Sequence, residues 1–218
     1  MPRISLIHAI PVAIQPVVDA FETDWPDADV YSLLEDSLSA DLQAAGTIDD
    51  AMVNRFKHLA DYAVDTGADG ILFTCSAFGT AIEAAATAHA AMPVLKPNEA
   101  MFEEALTMGN RIGMIATFKP SIPSMTREFE EMAEARNATA VIETVCVPDA
   151  MTALRAGDAA THNQLVADAV DQLDDPDVLM LAQFSTAQAR NDVEGRYSKS
   201  ILTSPASAVR KLRSLLEA

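Results

Sequence analysis

Short apolar runs alternate along the whole 218-residue chain with longer stretches in which apolar residues recur every three to four positions. That alternation predicts parallel β-strands joined by crossover helices. Strands are expected at residues 4–8, 29–34, 70–74, 93–95, 111–116, 138–145, 177–182 and 201–203. Helices are expected over 13–21, 47–66, 77–89, 98–108, 122–136, 160–173, 186–193 and 206–217. The clearest is the second, where Ile48, Met52, Phe56, Leu59 and Ala63 recur at helical spacing behind Thr47, the expected cap.

The two halves of this pattern match each other. Arg3-Ile4-Ser5-Leu6-Ile7 corresponds to Arg111-Ile112-Gly113-Met114-Ile115, and the segment 68–75 corresponds to 176–183, both at an offset of 108 residues. Between them Ala44-Ala45-Gly46 meets Arg155-Ala156-Gly157 after a small gap, each glycine standing shortly before a long helical pattern. The expected fold is therefore α/β: two pseudo-symmetric, doubly wound parallel-sheet lobes from an internal duplication, with a cleft between them. Residues 1–96 with 204–218 would form the first lobe and 97–203 the second, Pro97 marking the crossing and Ser204-Pro205 the return. Ligands of such sheets sit beyond the carboxyl ends of the strands. Cys75, Gln183, His8 and Thr117 all fall at such ends, two per copy, and would converge if the copies faced each other about a twofold axis. The copies differ where chemistry is expected, since Cys75 aligns with Gln183.

Composition narrows the partners. Half of the residues are hydrophobic and 22% are charged, as in a globular protein. A formal net charge of -17 argues against nucleic acid and anionic membranes, because each phosphate contact would be made against the protein's own field. Residues 70–95 are nearly uncharged, but Glu83, His89 and Pro93 favour a buried strand and helix over a membrane span. The apolar run near Arg3 is broken by His8, Pro11, Gln15 and Pro16, which fits a short strand better than a signal peptide. Cys75 and Cys146 are the only cysteines, so no disulfide framework is expected and a reducing cytoplasm is the simplest compartment.

Cys75 lies in Phe73-Thr74-Cys75-Ser76-Ala77-Phe78-Gly79, a strand running directly into a helix start. Free backbone N–H groups and the positive helix end there would lower a thiol pKa and attract a carboxylate. The alternative is a buried cysteine acting as a small hydrophobe; the duplication and the polar neighbours Thr74 and Ser76 favour function. Thr117-Phe118-Lys119-Pro120-Ser121 follows another strand, and its hydroxyls could cradle a carboxylate or simply cap the helix beginning near Ile122. His8, in the matching loop, would tune Cys75, meet substrate, or stand as a plain strand-end histidine. Cys146 reads as strand-end filler, and His58, His89 and His162 as helix surface or packing residues. No metal-ligand spacing, phosphate loop or dinucleotide fingerprint appears, so chemistry without a metal or cofactor is the expectation.

Taken together, these segments resemble the aspartate/glutamate/hydantoin racemase superfamily, which also includes maleate isomerases and arylmalonate decarboxylases. Thr74-Cys75-Ser76-Ala77 looks like the family's first-lobe cysteine turn, and Ala182-Gln183-Phe184-Ser185 falls where the family carries a second cysteine. Ile115-Ala116-Thr117 is similar to its Ala-Thr loop, and Leu202-Thr203-Ser204-Pro205 with Ala208-Val209 to its closing segment. The resemblance implies a cofactor-independent isomerase on a small carboxylate, in which one thiolate removes a proton beside a carboxylate or carbonyl and a second thiol returns one on the opposite face. It implies Cys75 and Gln183 as catalytic positions, with His8, Thr74, Ser76, Ala77, Thr117, Ser121, Phe184 and Ser185 lining the substrate, and it implies a homodimer. Gln183 cannot exchange a proton at neutral pH. It could serve as an amide donor to a developing enolate or as a plain polar strand end. A decarboxylase or other lyase with one-sided protonation by Cys75, and an inactive carboxylate-binding protein, are the alternative readings.

Overall fold

The computed structural model describes residues 1–217. Their contacts divide them into two units, Met1–Pro97 with residues 208 onward, and Asn98–Ser207.

The first unit holds four parallel strands, β1 (Arg3–His8), β2 (Asp29–Leu34), β3 (Gly70–Phe73) and β4 (Val94–Leu95), in the order β2-β1-β3-β4. The second holds β5 (Arg111–Ala116), β6 (Val141–Cys146), β7 (Val178–Leu181) and β8 (Ser200–Thr203), in the order β6-β5-β7-β8. The two orders are the same when each unit is numbered from its own first strand. So is the register: Ile4 lies opposite Gly70, and Ile112 lies opposite Val178. The offset seen in the sequence is thus an offset of strand pairing. Every residue of β3 and β7 is buried, which explains why these central strands read as unbroken apolar runs.

Helices cover the sheets: α1 (Ile14–Asp24), α2 (Ser37–Ala45), α3 (Asp50–Asp65), α4 (Gly79–Ala88) and α5 (Glu99–Met108), then α6 (Ile122–Ala135), α7 (Pro148–Arg155), α8 (Ala159–Asp168), α9 (Arg190–Glu194) and α10 (Ser204–Leu216). On α3, Met52, Phe56, Ala60 and Ala63 form the buried stripe. Its cap is Asp49, whose carboxylate accepts from the Met52 N–H at 2.8 Å, and not Thr47 as the spacing suggested. The ring of Phe56 packs against Phe73 and Phe78 at centroid distances of 5.2 and 4.9 Å. In the second unit Phe102 of α5 meets Phe129 of α6 edge-on at 5.7 Å.

Two short helices, α2 and α7, were absent from the expected elements. Each ends at one of the glycines that the duplication aligned, Gly46 (φ 73°) and Gly157 (φ 83°), in the left-handed conformation that terminates a helix. These glycines close a short helix instead of merely preceding a long one. The expected helix over 160–173 divides into α8 and a tighter turn over Ala169–Gln172, and that over 186–193 begins as a tight turn at Phe184–Ala189 before α9. The carboxyl-terminal helix α10 returns to the first sheet. A methyl at Gly70 would stand 3.3 Å from Leu212 and Leu216, so the glycine permits the close approach of that helix to β3.

Candidate functional site

In the first unit, the carboxyl edge of the sheet is held by a buried polar bridge. His8 ends β1 with no exposed surface. Its Nδ1 lies 2.9 Å from Thr74 Oγ1 and its Nε2 3.1 Å from Ser32 Oγ, so one imidazole ties together residues of three neighbouring strand regions. The Thr74 N–H also donates to the Ile7 carbonyl at 3.0 Å. Burial drives the His8 pKa down to about 4, and the ring is neutral at physiological pH. Ser32 was not legible as a partner, because nothing local marks a serine on a largely exposed strand as facing a histidine 24 residues earlier on the neighbouring strand.

This burial makes stability depend on pH. An unfolded histidine near 6.5 binds a proton that the folded one refuses until about 4, so the unfolded state gains as pH falls through that window. We expect His8 to remove about 2 kcal/mol of stability between pH 7 and pH 5. Urea unfolding at the two pH values checks this, with His8→Gln flattening the slope even if it lowers both end points. An unchanged slope in the variant would show that His8 is not the group responsible.

Cys75 follows Thr74 at the end of β3, with backbone φ -121° and ψ 118°, and leads into a tight turn over Ser76–Phe78 and then α4. Ser76 and Ala77 are half-buried beside it, and Phe78 is buried. Cys75 is half-buried as a residue, and desolvation dominates at its thiol: burial pushes the pKa up, and a hydrogen bond from the Ala77 N–H offsets this only in part. The lowered pKa expected from the helix start is therefore not what this turn provides. Elsewhere in the first unit, Arg55 of α3 is tied to Glu35, to Asp41 at 2.5 Å and to the Ser37 hydroxyl at 2.7 Å, fixing the loop after β2.

The equivalent edge of the second unit is organised around an amide. The Gln183 Oε1 accepts from the Thr117 N–H at 2.9 Å and from the Thr117 hydroxyl at 3.0 Å. Its Nε2 donates to Ser121 Oγ at 2.8 Å and to the Phe118 carbonyl at 3.4 Å. Thr117 and Ser121 are both buried. Gln183 itself has φ 73° and ψ 141°, in backbone territory populated chiefly by glycine. The structure thus joins Gln183 to Thr117 and Ser121, which the sequence placed together on a different loop. Phe184 and Ser185 are buried behind them, and Thr186, which sequence reasoning did not single out, donates to the Ala182 and Gln183 carbonyls at 2.6 and 2.8 Å.

Cys146, taken from the sequence as filler, ends β6 opposite Ala116. Burial raises its thiol while the charge of Lys119 pulls the other way. Among the described residues no cluster of three or more potential metal ligands occurs, and no helix is long and apolar enough to cross a membrane.

Residues 22–212 match the family described as Asp/Glu/Hydantoin racemase. No protein of curated function matches the chain. Among solved structures, glutamate racemase from Francisella tularensis subsp. tularensis SCHU S4, in complex with D-glutamate, superposes with a TM-score of 0.73 at 17% identity, covering 99% of this chain and 81% of that one. Allantoin racemase from Klebsiella pneumoniae gives 0.69 at 12% identity, covering 100% and 88%. Aspartate racemase from Picrophilus torridus gives 0.67 at 13% identity, covering 98% and 94%.

Proposed function

Because the chain belongs to the Asp/Glu/hydantoin racemase family, we propose that it is a racemase- or isomerase-type enzyme in which Cys75 removes the proton beside a carboxylate or carbonyl of a small acid. The observation that carries this reading is the place of Cys75, a half-buried residue just past the carboxyl end of the central strand β3 with the Ala77 N–H on its sulfur. The thiolate takes the proton, the electron pair passes into the adjacent carbonyl as an enolate, and a water on the opposite face returns a proton, which inverts the centre; return by the same thiol only restores the starting enantiomer. Thr117 and Ser121, with their hydroxyls and the Thr117 N–H, supply donors suited to a carboxylate. Ser76 and Ala77 line the turn beside the sulfur. His8 holds Thr74 from beneath and meets no substrate directly, since both of its nitrogens are engaged. The reaction is taken to need no cofactor, in a cytoplasmic homodimer whose size gel filtration would read.

With Gln183 at the position aligned to Cys75, a second thiol is missing from the second unit's β7 turn. That favours a second reading, a lyase that protonates one face of a carbanion formed by decarboxylation. One experiment addresses both. Glutamate, aspartate and allantoin, together with a substituted malonate, are incubated with the protein in D2O and followed by proton NMR and chiral chromatography. Loss of the α-hydrogen signal with appearance of both enantiomers supports racemisation, whereas CO2 release with a single enantiomer supports the lyase. Binding without exchange or CO2 release, unchanged in Cys75→Ser, would overturn both.

A further inference from the structure

The donors suited to a substrate carboxylate in the second unit are already occupied, and the occupant is part of the chain. The Gln183 Oε1 takes both hydrogen bonds that Thr117 can offer, from its N–H at 2.9 Å and its hydroxyl at 3.0 Å. This is the arrangement one carboxylate oxygen would adopt there. The Nε2 of the same amide donates to Ser121 Oγ at 2.8 Å, so one side chain holds Thr117 and Ser121, which are 1% and 2% exposed.

A second, independent feature points the same way. Gln183 is held at φ 73° and ψ 141°, a conformation that costs any residue with a Cβ, while Cys75 at the aligned position sits at an ordinary φ of -121° and ψ of 118°. Strain of this sort persists when the surroundings demand it. Here the demand is the set of hydrogen bonds that draws the amide onto Thr117 and Ser121.

We propose that Gln183 is a built-in occupant of the second unit's carboxylate cradle, one that an incoming carboxylate displaces in order to reach Thr117 and Ser121. The inference rests on the reading that Thr117 and Ser121 receive a carboxylate. Gln183 is then a specificity-determining residue: it sets the affinity threshold a carboxylate must exceed and rejects weak monocarboxylates. Ligands with further groups able to hold the displaced amide, such as a second carboxylate, bind in preference. Once displaced, the Nε2 is free to donate to the ligand, which is the only way this amide serves the bound acid.

Acetate and succinate are the probes, titrated against the full chain while the Thr117 amide is followed by nitrogen-15 NMR. Gln183→Gly, which also relieves the backbone, is expected to bind acetate at least tenfold more tightly than the wild type, and Gln183→Ala to do so to a lesser degree. Adding Thr117→Val to either variant is expected to abolish the gain. Equal or weaker acetate binding in both Gln183 variants overturns the proposal, as does a gain that survives Thr117→Val. The two readings fail separately. Cys75-dependent α-hydrogen exchange in the wild type, with no gain in the Gln183 variants, sinks the occupant and leaves the enzyme; a Thr117-dependent gain without any exchange does the reverse.

Discussion

Replacement of Cys75 by serine is expected to lower α-hydrogen exchange by about 10^2 to 10^4-fold, the usual contribution of a positioned general base, while Cys146→Ser stays close to wild type. The alkoxide of serine is far harder to generate than a thiolate, and no other titratable side chain in the Thr74–Phe78 turn can take over. The pH profile carries a separate signature. Burial raises the Cys75 pKa above the ordinary thiol value of 9.0, so the active thiolate accumulates late and the rate on free enzyme should still be climbing at pH 9. A plateau well below pH 8 would assign the base to some other group. Initial rates of deuterium incorporation from pH 6 to 10, in wild type and both variants, measure all of this at once.

A comparable loss is expected in stability from Phe56→Ala, about 3 to 5 kcal/mol by urea unfolding. Phe56 is 2% exposed and is the middle ring of the cluster with Phe73 and Phe78, so its removal leaves a cavity that the rigid strand β3 cannot fill. That is a large part of a domain's typical stability. Phe56→Leu, which keeps most of the volume, should cost less than about 1.5 kcal/mol. The cluster matters to the site because Phe73 lies two residues before Cys75 and Phe78 three after it, so Phe56 pins both sides of the turn. A cost near zero for the alanine variant would mean that this part of the first unit is not packed as described.

The strands were legible as short apolar-rich segments between helical patterns: 29–34 and 111–116 coincide with β2 and β5 residue for residue, and the offset between Ile4 and Ile112 reappears as identical register. Helices α2 and α7 were not. Ser37–Ala45 buries a single residue, Leu38, and such a helix leaves almost no apolar period to detect. At the site, the positions of Cys75, Gln183, His8 and Thr117 at strand ends could be read from alternation alone, but their chemistry depends on partners some 66 residues away, as with His8 and Thr74 or Thr117 and Gln183. Thr47 lost the capping role to Asp49 because either side chain suits an N-cap, and only the backbone decides which one occupies it.

The return of α10 to β3 has a consequence for the order in which the chain can fold as it is synthesised. Residues 1–97 emerge first, yet the face of β3 at Gly70 is covered by Leu212 and Leu216, which are made only after the whole second unit. The second unit, contiguous from Asn98 to Ser207, has all of its strands before those residues appear. The earlier-made half therefore emerges with an uncovered apolar patch on β3, which is closed only when α10 follows the second unit, and until then that patch is the exposed surface through which misassociation would occur.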